Sequence, residues 1–184
     1  SRDDAVRSPV QTSPVKMDIE TPKRIYPRWR TSPGDDANLR EIAPGLFVGG
    51  VDAAGWLERT LPVKKWHTIV DFYGRDVSVD GQTARRRATL ALRLPFLDGA
   101  SFPTGALDLT WEAWVSKAPR SALLLCCHAG FSRSASAGYA LLRRTFGLDH
   151  EAALRRVRVP LTFGFPLEET LASARAWAES YSDG

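Results

Sequence analysis

The sequence has two cysteines, three histidines and one methionine in 184 residues. The cysteines are neighbours, Cys126 and Cys127, so they cannot staple distant parts of a chain, and with three scattered histidines they do not make a zinc site. Such usage predicts a reducing, intracellular setting, cytoplasmic or nuclear. No apolar run approaches the ~20 residues that cross a bilayer, and the polar start lacks the apolar stretch of a secretory signal, which predicts no membrane span. Charge of one sign is not in surplus either: 25 Lys and Arg stand against 21 Asp and Glu, a formal net charge of +4. The basic residues are mixed with the acidic ones rather than pooled, so nucleic acid is not an expected partner.

What is present is core material. Hydrophobic residues make up 43% of the chain, with six Trp and eight Phe, which excludes global disorder. The length suits one domain and a tail. From residue 1 to about 40 the chain is rich in Pro, Ser and Thr and poor in periodic apolar residues, and it reads as a flexible arm. Its Ser8-Pro9, Ser13-Pro14, Thr21-Pro22 and Ser32-Pro33 steps would suit a proline-directed kinase as a partner.

Strand and helix patterns alternate from residue 41 to residue 184. Leu46–Gly50, His67–Tyr73, Leu90–Phe96 and Ala122–Cys126 read as strands; His67–Tyr73 is a β-branched and aromatic run of the kind buried on both faces, and the last two are apolar runs. Val51–Arg59 reads as a helix; Leu107, Trp111, Trp114 and Val115 fall on one face of another, closed by Pro119. Ala135–Thr145, Asp149–Val159 and Leu167–Tyr181 complete the helices. This order predicts an α/β domain, a central and mainly parallel sheet flanked by helices on both faces.

One strand-loop-helix unit carries chemistry. Cys127-His128-Ala129-Gly130-Phe131-Ser132-Arg133-Ser134 is a Cys-x5-Arg-Ser sequence between a buried strand and a helix. A loop in that place points backbone N–H groups into one concavity, where the helix dipole also favours an anion. Residues 128 to 132 would then bind a phosphate through their amides, with Gly130 letting the backbone curl and Arg133 gripping two oxygens with its planar fork. The same amides, dipole and guanidinium would stabilise a thiolate at Cys127, a nucleophile toward a phosphomonoester. The leaving oxygen needs a proton, and Asp98, at a strand end before Gly99, is the candidate acid. Asp71 lies within an apparent buried strand, Asp108 in a helix, and Asp76 and Asp80 in a polar loop. Ser134 can donate a hydrogen bond to the sulfur as it leaves; its structural alternative is a helix N-cap. None of this needs a metal or a cofactor.

Here the chain, from about Glu41 onward, resembles the dual-specificity branch of the cysteine-based protein phosphatases. Ile42–Gly49 is similar to that family's opening strand, Leu94–Asp98 to the strand ending in its general acid, and Val157–Phe165 to the segment before its last helix. The resemblance implies Cys127 as nucleophile, Arg133 as phosphate clamp, Asp98 as acid and Ser134 as assistant, with a phosphorylated protein as substrate and a cysteinyl-phosphate intermediate. Two positions depart from the family: Cys126 stands where a His is usual, and Thr162 where many members have Asn. The lost His predicts that Cys127 is alkylated at higher pH than in relatives that keep it. Cys126 itself reads as a core residue, on the opposite face from Cys127.

The expected function is hydrolysis of phosphotyrosine and phosphoserine or phosphothreonine in proteins. Its rivals are a non-catalytic phosphate-binding module and a phosphatase of RNA 5′-triphosphate, lipid or glucan. Phe131 and Ser132, rather than lysines, line the loop and argue against a strongly anionic inositol phosphate.

Overall fold

Five short strands build one sheet: β1 (Arg40–Ala43), β2 (Leu46–Gly49), β3 (Trp66–Asp71), β4 (Ala88–Arg93) and β5 (Leu123–Cys126). The computed structural model describes residues 38–51, 53, 66–73, 88–116, 122–159 and 164–180. The spatial order is β1-β2-β5-β3-β4, with β1 antiparallel to β2 and every other pair parallel. Among the described residues four helices are delimited: α1 (Ala106–Val115) between β4 and β5, and α2 (Arg133–Phe146), α3 (His150–Val157) and α4 (Glu168–Ser180) after β5. The mainly parallel sheet flanked by helices agrees with the pattern of the sequence. The expectations for residues 1–37, including the kinase sites, for most of the helix 51–59, for residues 75–87 and for Thr162 fall outside the described residues.

Alternation along β5 divides the interior. Leu123 and Leu125 enter a core shared with Leu46 and Val48 of β2 and Val70 of β3, whereas Leu124 and Cys126 enter a second cluster with Phe47, Trp66 and Ile69. Phe47 and Trp66 meet edge to face there, with ring centroids 5.1 Å apart. All four helices contribute to the first core. Helix α2 lies at its centre, its first ten residues buried, packed on β2, β5, α1, α3 and α4. Gly138 permits this approach: a Cβ there would lie 2.7 Å from Ile42 Cδ1 and 2.9 Å from Val48 Cγ2.

One local expectation is corrected. Val115 is 46% exposed, whereas Leu107 and Trp114 are buried with Thr110, and Trp111, partly buried against the same core, meets Trp177 of α4. Asn38, Leu39 and Arg40 are buried too, and Arg40 opens β1. Charge and the nearby Pro and Gly disguise these residues, whose burial depends on partners far along the chain.

Register positions the chemistry. Gly49 and Asp71 both lie opposite Cys126, and Asp71 lies opposite Arg93. The carboxyl ends of β2, β5, β3 and β4 therefore finish level, and the chain leaving each one crosses the same edge of the sheet. That edge is where open α/β sheets take their ligands.

Candidate active site

The loop from Cys127 to Ser132 is shaped by bonds on its outer side. Val51 N–H donates to His128 O at 2.9 Å, Asn38 Nδ2 to Ala129 O at 2.7 Å, and Arg40 Nη2 to Gly130 O at 2.8 Å. In a trans peptide the N–H points opposite to the carbonyl, so the amides of Ala129, Gly130 and Phe131 turn to the concave side. Gly130 has φ +81°, and a Cβ on it would lie 2.7 Å from Gly49 C and 2.8 Å from Gly50 N. No side chain fits between this loop and the end of β2.

Cys127 lies at the base of the loop, buried, with its N–H donating to Gly49 O at 3.3 Å. Ser134 Oγ is 3.1 Å from Cys127 Sγ and 3.2 Å from Gly49 O. The single hydroxyl proton can serve one of these partners at a time. With a neutral thiol, the S–H donates to Ser134 while the hydroxyl donates to Gly49 O; with a thiolate, the hydroxyl turns to sulfur. Ser134 is not the N-cap of α2, because the helix starts at Arg133 and Ser132 takes the cap position without a side-chain cap bond.

Arg133 is buried and anchored at one end only. Its Nη1 donates to Phe72 O at 3.2 Å and to Phe96 O at 2.7 Å, tying together the chain segments that follow β3 and β4. Its Nε stands 3.5 Å from Asp98 Oδ1 and makes no hydrogen bond among the described residues. An oriented, under-satisfied guanidinium facing a loop of amides is suited to a tetrahedral anion. Asp98 itself is half exposed, in a turn closed by Ala100 N–H on Leu97 O at 3.1 Å. Helix α4 holds that turn, through Thr170 Oγ1 donating to Ala100 O at 2.8 Å and Ser173 Oγ accepting from Phe102 N–H at 3.0 Å.

The other side chains of the loop have separate tasks. His128 is exposed and stacks on Tyr73, centroids 4.9 Å apart, and the Arg133 guanidinium lies 5.5 Å from the same Tyr73 ring. Phe131 leans on Phe165 at 5.6 Å. Ser132 Oγ accepts from Leu167 N–H at 2.9 Å, so its side chain braces the segment before α4 rather than entering the concavity. Asp71, set aside as part of a buried strand, is indeed buried, and its Oδ1 accepts from Tyr73 N–H at 2.7 Å.

Cys126 turns away from the site. Its Sγ donates to Val70 O at 3.4 Å, and burial, followed by the nearby Asp71 and Cys127, raises its thiol well above the ordinary 9.0. Both cysteines are free thiols.

Sequence reasoning missed Asn38 and Arg40. Arg40 is 3% exposed and donates from Nε and Nη2 to Val157 O and from Nη1 to Asn38 O, besides its bond to Gly130 O. Burial brings it from 12.5 down to about 10, opposed by Cys127. No local pattern marks these residues, since their partners lie 90 to 117 positions away. Among the described residues no group of His, Cys, Asp and Glu could hold a metal ion, and no helix is long and apolar enough to cross a membrane.

A central strand opens onto a Cys-x5-Arg loop, and a helix runs on from the arginine. The chain has the fold of the dual-specificity and related cysteine-based phosphatases. It is similar to the crystal structure of human DUSP28, with 25% identity and a TM-score of 0.60 over 78% of this chain and 95% of that one. Tk-PTP in the active form is similar over 77% of this chain and 96% of its own, at 19% identity and a TM-score of 0.58. PTPMT1 in complex with PI(5)P is similar over 79% of this chain and 97% of its own, at 15% identity and a TM-score of 0.60. No protein-family model and no curated relative matches the sequence.

Proposed function

We propose that the protein hydrolyses phosphomonoesters through a cysteinyl-phosphate intermediate, with phosphotyrosine and phosphoserine or phosphothreonine of proteins as substrates. The observation that carries this reading is the convergence on one sheet edge of Cys127, Ser134 at 3.1 Å from its sulfur, and Arg133 with Asp98 at 3.5 Å. The substrate phosphate sits in the loop, bound by inward amides and by the free side of the Arg133 fork. Cys127 thiolate attacks phosphorus in line; the S–P bond forms, the P–O bond breaks, and Asp98 gives its proton to the leaving oxygen. Water then attacks phosphorus and passes a proton to the Asp98 carboxylate. The S–P electron pair returns to sulfur, which Ser134 stabilises by donating its hydroxyl proton. Amides and guanidinium already aimed at the equatorial oxygens hold the charge in both steps without reorganising.

The surroundings support a peptide-borne ester. The rim is aromatic, with Tyr73 stacked on His128 and Phe131 against Phe165, and Leu97 beside the candidate acid is 81% exposed. Apolar and π surface of this kind suits an aryl phosphate and the residues flanking it. The loop residues between Cys127 and Arg133 include no lysine to match further phosphates.

The test is phosphate release from p-nitrophenyl phosphate, phosphotyrosine, phosphoserine and phosphothreonine peptides, PI(5)P and RNA 5′-triphosphate, with Cys127→Ser as control. The expected result is turnover of the aryl and peptide esters that Cys127→Ser abolishes while phosphate binding persists. Turnover retained by Cys127→Ser would overturn the mechanism. Preference for the lipid or the RNA would overturn the substrate class.

A further inference from the structure

Arg40 is a buried cation with an unusual set of partners. Its four hydrogen bonds all go to backbone carbonyls, those of Asn38, Gly130 and twice Val157, and among the described residues no carboxylate pairs with it. Taking a guanidinium out of water without a counter-charge is costly, and neutral carbonyls repay only part of that. Val157 ends α3, where the helix dipole is negative and offsets a further part. Arg40 Nη2 also reaches the loop that has the buried Cys127 at its base.

We infer that Arg40 is a positioning residue of the phosphate loop, bracing it through Gly130 O and supplying a fixed positive charge behind Cys127. The three consecutive carbonyls on the outer side of the loop are held by Val51, Asn38 and Arg40 in turn, so Arg40 sets the orientation of the peptide whose N–H, that of Phe131, faces inward. Arg40 and Cys127 are both buried, and charges in such surroundings are poorly screened.

Among the described residues, the titratable and charged groups facing Cys127 are few. Arg40 comes from β1 and Arg133 from the start of α2, with Asp98 on the far side of Arg133; His128 follows in the loop but is exposed, and Cys126 points into the second core. Asp71, near Cys126, is bonded to Tyr73 N–H. Of the two guanidiniums, Arg133 meets the substrate, whereas Arg40 is sealed behind the loop and acts at all times.

The inference rests on Cys127 being the nucleophile, and the experiment keeps the two apart. Wild-type protein that fails to turn over p-nitrophenyl phosphate would count against the proposed function, whatever the Arg40 variants do. With wild-type turnover in place, Arg40→Met, folded by circular dichroism, is expected to shift the pH midpoint of Cys127 alkylation by iodoacetamide upward by about one unit, the size of a tenfold change. Arg40→Lys keeps the charge and loses the fork, so it should hold the wild-type midpoint while kcat falls about tenfold, the range of one hydrogen bond to a charged group. Asn38→Gly, which suits the φ of +38° at that position and deletes only the bond to Ala129 O, should likewise lower kcat at an unchanged midpoint. A folded Arg40→Met with the wild-type midpoint would overturn the inference. If Arg40→Met does not fold, Arg40→Lys decides: wild-type kcat, or a midpoint shifted as far as a unit, overturns it.

Discussion

Cys126 and Cys127 are consecutive in the chain and end in different cores: the first sulfur donates to Val70 O at 3.4 Å in the cluster around Phe47 and Trp66, the second meets Ser134 Oγ at 3.1 Å at the base of the loop. The alternation of a strand produces this separation, and it makes one thiol inert and the other addressable. Iodoacetamide should therefore label Cys127 alone in the native protein and Cys126 only after unfolding, as read by peptide mass. Because burial holds the Cys126 thiol above its unfolded 9.0, it contributes stability that is present below that value and lost as pH rises past it. The urea midpoint should fall between about pH 8 and pH 10, less steeply in Cys126→Ala; equal slopes would contradict the assignment.

Asp98 stands in a turn that α4 holds against Arg133. In the proposed mechanism Asp98 is the general acid, a role that matters most when the leaving group is poor. Asp98→Ala is expected to lower kcat by ~10²–10⁴ for phenyl phosphate, the usual size of acid catalysis, and by much less for p-nitrophenyl phosphate. A loss independent of the leaving group would reassign the acid.

Ser134 offers its proton either to Gly49 O or to sulfur. The donation counts when the thiolate must leave phosphorus, so Ser134→Ala should slow the second step by about 10- to 100-fold, the range of a hydrogen bond to a charged group. Stopped-flow release of p-nitrophenol should then show a burst close to one equivalent of enzyme. A variant slowed without a burst would mean that Ser134 acts on the first step instead.

Gly130 lies against the backbone of Gly49 and Gly50, which cannot retreat as a flexible side chain would. Gly130→Ala adds strain at a positive φ as well as overlap, so it should destabilise by about 1–3 kcal/mol. The displaced loop should also weaken competitive inhibition by inorganic phosphate at least tenfold. Unchanged inhibition in a folded variant would show that the loop is not held by this contact.

Much of the architecture was legible from pattern. The apolar run Leu123–Cys126 became the central strand, and the Asp149 side chain accepts from Ala152 N–H where the helix expected there begins. The stripe on α1 was read less well, because a residue at helical spacing is buried only if another element covers it: Trp114 donates to Thr145 Oγ1 of α2, whereas Val115 meets solvent. In the site, the Ser132 hydroxyl accepts from Leu167 N–H, a partner 35 positions away that no local pattern announces.

The contiguous part of the site, Cys127 to Ser134, was determined by the sequence alone. Its groups are separated by one loop and one helical turn, distances that covalent geometry nearly prescribes. Tertiary structure decided the rest. The level ends of β2, β5, β3 and β4 brought Gly49, Phe72 and Phe96 to the same edge, and the packing of α4 brought Asp98 to Arg133. The end of α3 and the loop itself enclose Arg40, in a stretch that reads as a flexible arm, through the carbonyls of Val157 and Gly130. A charged residue carries no local sign that carbonyls 90 and 117 residues away will enclose it; only the closed fold removes its water and makes its charge count.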